Sequence, residues 1–128
     1  PANDRRFSQF LETLRRETAG RRVLAVGSVD LAHVGPEFGD SFAMDSARRS
    51  QLEHEDAALM ELILRGDAGG FYQRIAAVQD RNRICGLSPL YLMLSYLGPS
   101  AGTQVAYQHC PADAADTSLV SICGLLLD

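Results

Sequence analysis

The sequence predicts an α/β domain in which a small mixed sheet is flanked by about four helices. Two observations point to this class. Four stretches of the chain carry apolar residues at helical spacing or open with helix-capping residues, and three short stretches are apolar and rich in β-branched residues. Because no linker divides the 128 residues, we expect them to form a single domain spanning residues 1–128.

The helix predictions depend on apolar periodicity together with capping residues. In the first helix, apolar side chains recur at i, i+3, i+4 and i+7, from Phe7 to Leu14, and Gly20 ends the pattern. Asp67 is placed to cap the third helix, and Pro89 suits the first turn of the fourth. We predict helices over residues 4–19, 50–64, 68–78 and 90–97.

The run at residues 23–29, VLAVGSV, is apolar almost throughout, which predicts a buried strand covered by helices on both faces. Residues 103–108 and 118–127 are predicted to be the other two strands. Open edges of a small sheet are a liability unless something covers them. We therefore expect a homo-oligomer, or a partner segment that pairs with these edges.

Charge and hydropathy exclude several classes of partner. The chain has 12 basic residues, all of them Arg, against 16 acidic ones, and a net charge of −4, so we expect no nucleic-acid partner. No apolar run approaches the roughly 18–20 residues of a membrane span, so no membrane partner is expected either. The N-terminal sequence lacks the apolar region of a signal peptide, and three cysteines without paired spacing favour reduced thiols. These features predict a cytoplasmic protein.

His33 is the histidine best placed for chemistry. It follows the first predicted strand in a glycine-rich loop, three residues after Asp30, and ligands commonly bind where strands of open α/β sheets end. A carboxylate beside an imidazole can fix its tautomer and raise its basicity, which suits either general acid/base catalysis or metal ligation. The alternative is structural, with Asp30 capping the turn and His33 packing against it.

Cys85 is the second candidate, because it lies just before the N-terminus of the fourth predicted helix. The partial positive charge there favours the thiolate, which is the form that binds metals or attacks electrophiles. The alternative is a structural cysteine buried at the start of the helix. His54 is expected to be an exposed helix residue. His109 and Cys110 are adjacent on a predicted strand and point to opposite faces, so we do not expect them to share a metal ion.

The motifs around these residues occur in a characteristic order. A hydrophobic strand ends in S-x-D-x-x-H-x-G, a helix with a D-x-x-x-hydrophobic pattern follows, and then come I-C-G-x-x-P-hydrophobic and a final Y…D-x-S-hydrophobic-V-S. Across residues 23–127 this order resembles the C-terminal half of the Memo family, the "mediator of cell motility" proteins and their bacterial and archaeal relatives, which are often labelled system protein B. Each motif alone is weak, but their combination is specific.

The resemblance implies a fold similar to that of class III extradiol dioxygenases, which use non-haem iron, and a pocket with metal-binding and redox activity. Asp30, His33 and Cys85 match the family's motifs and would be this chain's share of the pocket. Asp30 and His33 would be the catalytic pair, His33 and Cys85 the metal ligands, and the metal in the intact protein iron or copper. The family's other pocket histidines come from an N-terminal half that nothing in this sequence matches. The resemblance therefore implies an incomplete site, and a fragment or half-length counterpart of a longer protein.

Three functions are open at this point. The first is a metal-dependent, dioxygenase-like oxidoreductase that acts on an unidentified small molecule. The second is a non-enzymatic module that binds a peptide or small ligand in the same cleft, since eukaryotic Memo proteins have been described as recognising phosphotyrosine peptides. The third is a degenerate half-domain that acts through oligomerisation.

Overall fold

The computed structural model describes residues 4–128, so the first three residues of the predicted domain lie outside the described part. Along residues 4–128 the elements follow the predicted order α-β-α-α-α-β-β, which confirms the α/β class. The helices are α1 (Arg5–Thr18), α2 (Ser46–Leu64), α3 (Ala68–Ala77) and α4 (Leu87–Leu97). The strands are β1 (His33–Val34), β2 (Gly102–Pro111) and β3 (Leu119–Leu127), and a 3-10 turn, Pro36–Phe38, follows β1.

The central strand of the sheet is β3, with β1 on one side and β2 on the other, and all the pairings are antiparallel rather than mixed. The long β2–β3 ladder places Tyr107 opposite Cys123 and His109 opposite Ser121. The first strand is only two residues long, and it pairs His33 with Val120. His33 therefore lies on an edge strand rather than beyond the end of a long central one.

Side-chain caps explain where the helices begin. Asp4 and Asp67 accept hydrogen bonds from backbone N–H groups in the first turns of α1 and α3. The start of α2 lies four residues before the predicted one, because the Asp45 carboxylate accepts the backbone N–H of Arg48 at 2.8 Å. The start of α4 lies three residues before the predicted one, with Gly86 as its N-cap. In each case the element exists as predicted, and only its boundary moves.

The core lies between helices α2, α3 and α4 and the sheet. Outside it, α1 packs on α4 through the rings of Phe7 and Tyr91, whose centroids are 5.3 Å apart, and through a 2.7 Å hydrogen bond between the hydroxyls of Thr18 and Tyr96. Among the described residues, no helix combines the length and the apolar character that a membrane span requires. The most deeply buried large apolar side chains are Leu31, Ile63, Phe71, Leu94 and Leu119.

The prediction of a buried strand over residues 23–29 is wrong. The segment has no regular secondary structure, and Leu24 and Val26 are 87% and 76% exposed. Within the described residues, none of its backbone groups forms a hydrogen bond with another backbone group. The first backbone hydrogen bond after the segment joins the N–H of Leu31 to the carbonyl of Ser121 at 2.9 Å. An apolar run is buried in a sheet only where strands flank it. Here the segment and β3 instead line an apolar groove of about 500 Å³.

Candidate metal centre

A glycine allows the start of α4 to approach the segment that leads into β1. A Cβ atom at Gly86 would lie 2.8 Å from Cγ2 of Val29 and 2.9 Å from the carbonyl oxygen of Asp30, closer than a real side chain tolerates. The neighbouring residue, Cys85, consequently lies beside Asp30, and its thiol donates to the Asp30 carbonyl at 3.5 Å. Because position 86 has no side chain, the Cys85 thiol can lie beside Asp30.

Ser121 on β3 anchors the chain just before His33. The N–H of Leu31 donates to the carbonyl of Ser121, and the N–H of Ser121 donates to the carbonyl of Ala32, both at 2.9 Å. The Ser121 hydroxyl also accepts the N–H of Ala32 at 2.9 Å. On its other side, His33 donates its N–H to the carbonyl of Asn82 at 2.8 Å. The main chain at His33 is therefore held by β3 and by the α3–α4 loop together.

Arg83, in the α3–α4 loop, bridges His33 and Asp40. Its guanidinium donates to the Asp40 carboxylate at 2.6 Å and to the carbonyl oxygen of His33 at 3.2 Å. The hydrogen bond from Arg83 holds the pKa of Asp40 below its usual value. The loop is strained, because Gln79, Asp80 and Arg83 have φ angles of 53°, 49° and 50°. Left-handed residues with side chains cost roughly 1–3 kcal/mol each and concentrate at functional sites.

Two backbone carbonyls fix the tautomer of His33. Its Nδ1 lies 3.2 Å from the carbonyl oxygen of Arg83 and 3.3 Å from that of Leu31. Because carbonyl oxygens can only accept, Nδ1 carries the proton, and the lone pair of the neutral ring is on Nε2. This Nε2 lies 3.7 Å from a carboxylate oxygen of Asp30. Histidines that bind metals commonly donate their other N–H to a carbonyl in this way.

Asp30, His33 and Cys85 form a cluster of potential metal ligands. One ligand atom from each residue lies within 4.8 Å of the other two. In a tetrahedral site with metal–ligand bonds of about 2.0–2.3 Å, ligand atoms are about 3.3–3.8 Å apart, so small side-chain movements suffice to close the set. The side chain of Asp30 is half-exposed and Cys85 is exposed, so solvent or substrate can reach a fourth position. An accessible fourth position is typical of catalytic metal sites.

The structure thus brings together the three residues that the sequence singles out, and it places the other histidines elsewhere. His54 is exposed on α2, as predicted, and its Nδ1 bonds to the carbonyl of Ser50. His109 contacts the hydroxyl of Tyr107 at 2.8 Å. Two cavities of about 350 and 390 Å³ adjoin α2, but none of the three cluster residues lines them. The cluster is accordingly a surface site.

Two supporting residues, Arg83 and Asp40, are not apparent from the sequence. They are 43 positions apart, and each lies in a polar loop where charged residues are common. Asp56 is also not apparent, although one signal could have found it. It lies four residues after Leu52 and three before Leu59, so it occupies a core position on α2, and it is fully buried.

A model of the Memo-like protein family matches residues 1–126. The chain belongs to the Memo-like protein family. Among curated proteins, none matches it. The match extends over the N-terminal helix as well as the segments that carry the motifs. The Memo-like motifs S-x-D-x-x-H-x-G and I-C-G supply the three residues of the cluster, and the fold of this Memo-like chain places them side by side.

Proposed function

We propose that this Memo-like domain binds a transition-metal ion through Asp30, His33 and Cys85, and that the ion serves oxidoreductase chemistry. The observation that carries the proposal is the approach of the three ligand atoms to within 4.8 Å of one another. The donor set fits such an ion, because thiolate and imidazole are ligands of iron, copper and zinc, whereas magnesium and calcium prefer oxygen. When bound, iron or copper would supply one-electron redox chemistry at the cluster.

Each residue has a distinct role in this proposal. His33 presents the lone pair of Nε2, because its Nδ1–H is occupied by backbone carbonyls. Cys85, two residues before the first residue of α4, contributes its sulfur as a thiolate, the form in which cysteine binds metals. The Asp30 carboxylate offsets the positive charge of the ion and can accept a proton from a bound substrate. Where His33 is not a ligand, its Nε2 is the acid–base atom of the site, because the two backbone carbonyls at Nδ1 hold the ring.

Metal titration of the purified, metal-free protein with Fe(II), Cu(II) and Zn(II) tests the proposal. We expect about one ion per chain, and binding weakened by roughly tenfold or more in His33→Ala and Cys85→Ala, because each variant removes one of three ligands. The matched controls His54→Ala and Cys123→Ala remove a residue of the same type elsewhere, and they should bind as the wild type does. Equal affinities in all five proteins would exclude the cluster as the site.

The redox part of the proposal is tested separately, by oxygen uptake of the iron-loaded protein with catechol as a probe substrate. Extradiol cleavage breaks a carbon–carbon bond of the ring and incorporates both atoms of O₂ into the ring-opened product, so one product molecule should form for each O₂ consumed. Asp30→Asn keeps the size of the side chain and removes its charge, and we expect it to lower the rate. Iron binding without uptake by the wild type would leave metal binding intact and remove the dioxygenase activity.

A second candidate function, association between copies of this chain, is favoured by the exposed segment 23–29. Among the described residues, its backbone groups form no hydrogen bonds with other backbone groups. On the side of β3 that pairs with β1, the backbone groups beyond Ser121 likewise have no strand paired with them in the described part of the chain. Edges of this kind pair readily with another strand. Light scattering should then give a dimer that Leu24→Glu converts to monomer, while Val105→Glu, at an exposed site on β2, leaves it dimeric. A monomeric wild type would rule out this candidate.

A further inference from the structure

The smaller of the two cavities beside α2 has an apolar lining. It encloses about 350 Å³ between α2, the C-terminal part of α3 and the α3–α4 loop, and small-molecule sites typically enclose roughly 300–1,000 Å³. Leu59, Ile75 and Ile84 line it from the core, where each is at most 5% exposed. Val78 also lines it and remains 40% exposed. The lining therefore suits the apolar part of a ligand.

The two acidic side chains that line this cavity already accept hydrogen bonds from the protein. Glu55, on α2, accepts the side-chain amides of Gln51 and Asn82, each at 2.8 Å. It also accepts from the guanidinium of Arg81. Asp80 accepts a backbone N–H of its own loop at 2.8 Å. These carboxylates are therefore part of the walls of the cavity, and their bonds hold α2 and the loop in place.

The two basic side chains of the lining, Arg74 and Arg81, retain donors for a ligand. A guanidinium has five N–H donors and no acceptor. Arg81 pairs with Glu55 through one of its nitrogens, and 57% of its side chain is exposed. Arg74 takes part in none of the ion pairs formed within residues 4–128. A ligand that uses these donors has to supply acceptor atoms.

The balance of charge in the lining favours a ligand with a single negative charge. The two arginines are matched by Glu55 and Asp80, so a group with two negative charges, such as a phosphate monoester, would be repelled by the carboxylates. A carboxylate carries one charge, and its two oxygens match the planar fork of a guanidinium with two parallel hydrogen bonds. The donor set therefore fits a carboxylate better than a phosphate.

The loop that forms one wall of the cavity also holds His33. Gln79 and Asp80 in this loop have left-handed φ angles of 53° and 49°, and strained residues of this kind cluster at ligand-binding positions. Asn82 lines the cavity, and its carbonyl accepts the backbone N–H of His33 at 2.8 Å. A ligand in the cavity would consequently contact the loop on which the position of His33 depends.

We propose that this cavity binds a small molecule that combines one carboxylate with an apolar body, either an aromatic ring or a branched alkyl chain. The carboxylate accepts hydrogen bonds from Arg74 and Arg81, and the apolar body packs on Leu59, Ile75 and Val78. The proposal goes beyond the proposed function and does not depend on it, because none of the three residues of the metal cluster lines this cavity.

Titration of the metal-free protein with sodium phenylacetate, followed by ¹H–¹⁵N NMR, tests the proposal. We expect saturable shifts of the backbone signals of residues 74–84, with a Kd on the order of 1 mM, which is usual for so small a ligand. Phenylacetamide has the same shape without the charge, and phenyl phosphate has a second charge. Both should bind roughly fivefold or more weakly than phenylacetate, because they lose the match to the arginines.

Variants of the lining test the two parts of the site separately. Arg74→Gln and Arg81→Gln should each weaken phenylacetate binding roughly fivefold, because each removes one of two cations from a partly exposed site. Arg48→Gln is the control, since Arg48 lines the neighbouring cavity of about 390 Å³ and not this one. Val78→Glu should abolish the shifts by placing a charge against the apolar body, and Val105→Glu on β2 should leave them unchanged.

The comparison of probes uses the wild type alone, so it decides even where a variant does not fold. No saturable binding at roughly 20 mM phenylacetate, well above the expected Kd, would overturn the proposal. Shifts centred outside residues 74–84, equal binding of phenylacetamide, or tighter binding of phenyl phosphate would overturn it as well. An unchanged affinity in Arg74→Gln, with a spectrum that verifies its fold, would exclude this cavity as the carboxylate site.

Discussion

Arg83 and His33 are joined by two hydrogen bonds, although they are 50 residues apart in the sequence. The Arg83 guanidinium donates to the carbonyl oxygen of His33, and Nδ1–H of His33 donates to the carbonyl oxygen of Arg83, both at 3.2 Å. Asp40 holds the guanidinium from its other side at 2.6 Å. The main chain and the ring of the proposed ligand therefore depend on one arginine.

Replacing Arg83 with methionine should weaken both the fold and metal binding at the proposed centre. Arg83→Met keeps an unbranched stem and leaves the largely buried Asp40 without its cation, so we expect a loss of about 1–2 kcal/mol in the free energy of unfolding, moderated by solvent around the guanidinium. Metal affinity should fall roughly tenfold, because the guanidinium no longer fixes the loop whose carbonyl at position 83 bonds to Nδ1 of His33. Urea unfolding and metal titration measure the two effects.

Arg65→Met is the control for this prediction. Arg65 forms an exposed ion pair with Glu61 on α2, and such pairs contribute at most about 0.5–1 kcal/mol. It lies away from the cluster, so metal affinity should stay at the wild-type value. Identical results for the two arginine variants would show that Arg83 has no special connection with His33.

A methyl group at Gly86 should separate Cys85 from Asp30. In Gly86→Ala the new Cβ would meet Val29 and the Asp30 carbonyl at 2.8 and 2.9 Å, so α4 has to shift. We expect a loss of about 1–3 kcal/mol in the free energy of unfolding, together with weaker metal binding. Thermal unfolding and metal titration measure both.

Gly69→Ala provides the matched comparison for Gly86→Ala. A Cβ at Gly69 has its nearest neighbour at an ordinary 3.7 Å, and the residue lies in α3, where alanine is favoured over glycine by up to about 1 kcal/mol. This variant should be as stable as the wild type or more stable. If Gly86→Ala behaved in the same way, the close approach at the start of α4 would have no energetic importance.

Cys85 should react with thiol reagents faster than Cys123. The Cys85 side chain is exposed beside the first turn of α4, whereas burial, with a contribution from the Asp56 charge, raises the pKa of the Cys123 thiol. Only the thiolate is strongly nucleophilic. Reaction with a chromogenic disulfide at neutral pH should show a fast phase that Cys85→Ser abolishes and Cys123→Ser leaves in place. Equal, slow rates at both cysteines would contradict this.

Asp113 should make the fold sensitive to acid. The backbone N–H and the hydroxyl of Thr117 donate to its carboxylate at 3.0 and 2.8 Å, which lowers the pKa of Asp113 from 3.8 to about 2. Because this pKa is lower in the folded state, the ionised group stabilises the fold fully above pH 3.8, and the stabilisation is lost as the pH falls towards 2. Melting temperatures between pH 2 and 6 should fall less steeply in Asp113→Asn, and parallel curves would refute the assignment.

Local sequence patterns predict the helices well, and the family motifs identify the residues of the candidate site. Such patterns fail where a structural feature depends on contacts between residues that are distant in sequence. Apolar periodicity and caps are local, so four helices are found with shifted ends. The segment at 23–29 has the composition of a buried strand, but burial depends on neighbouring strands that this sheet does not provide. The support of His33 by Arg83 and of Asp56 by Tyr107 spans 50 and 51 residues, and no local pattern reports such pairings.

Leu31 donates the first backbone hydrogen bond between β3 and the chain that leads into β1. This bond lies between Asp30 and His33, so the two residues of the cluster are held to different degrees. His33 lies after that bond and is held by β3, by the α3–α4 loop and by Arg83. Asp30 lies before it, and among residues 4–128 the one hydrogen bond to its main chain is the weak thiol contact of Cys85. Rotation about the bonds of Asp30 can therefore move the carboxylate without breaking the sheet. In the proposed metal centre His33 would be a fixed ligand and Asp30 an adjustable one, which can move aside for an incoming substrate.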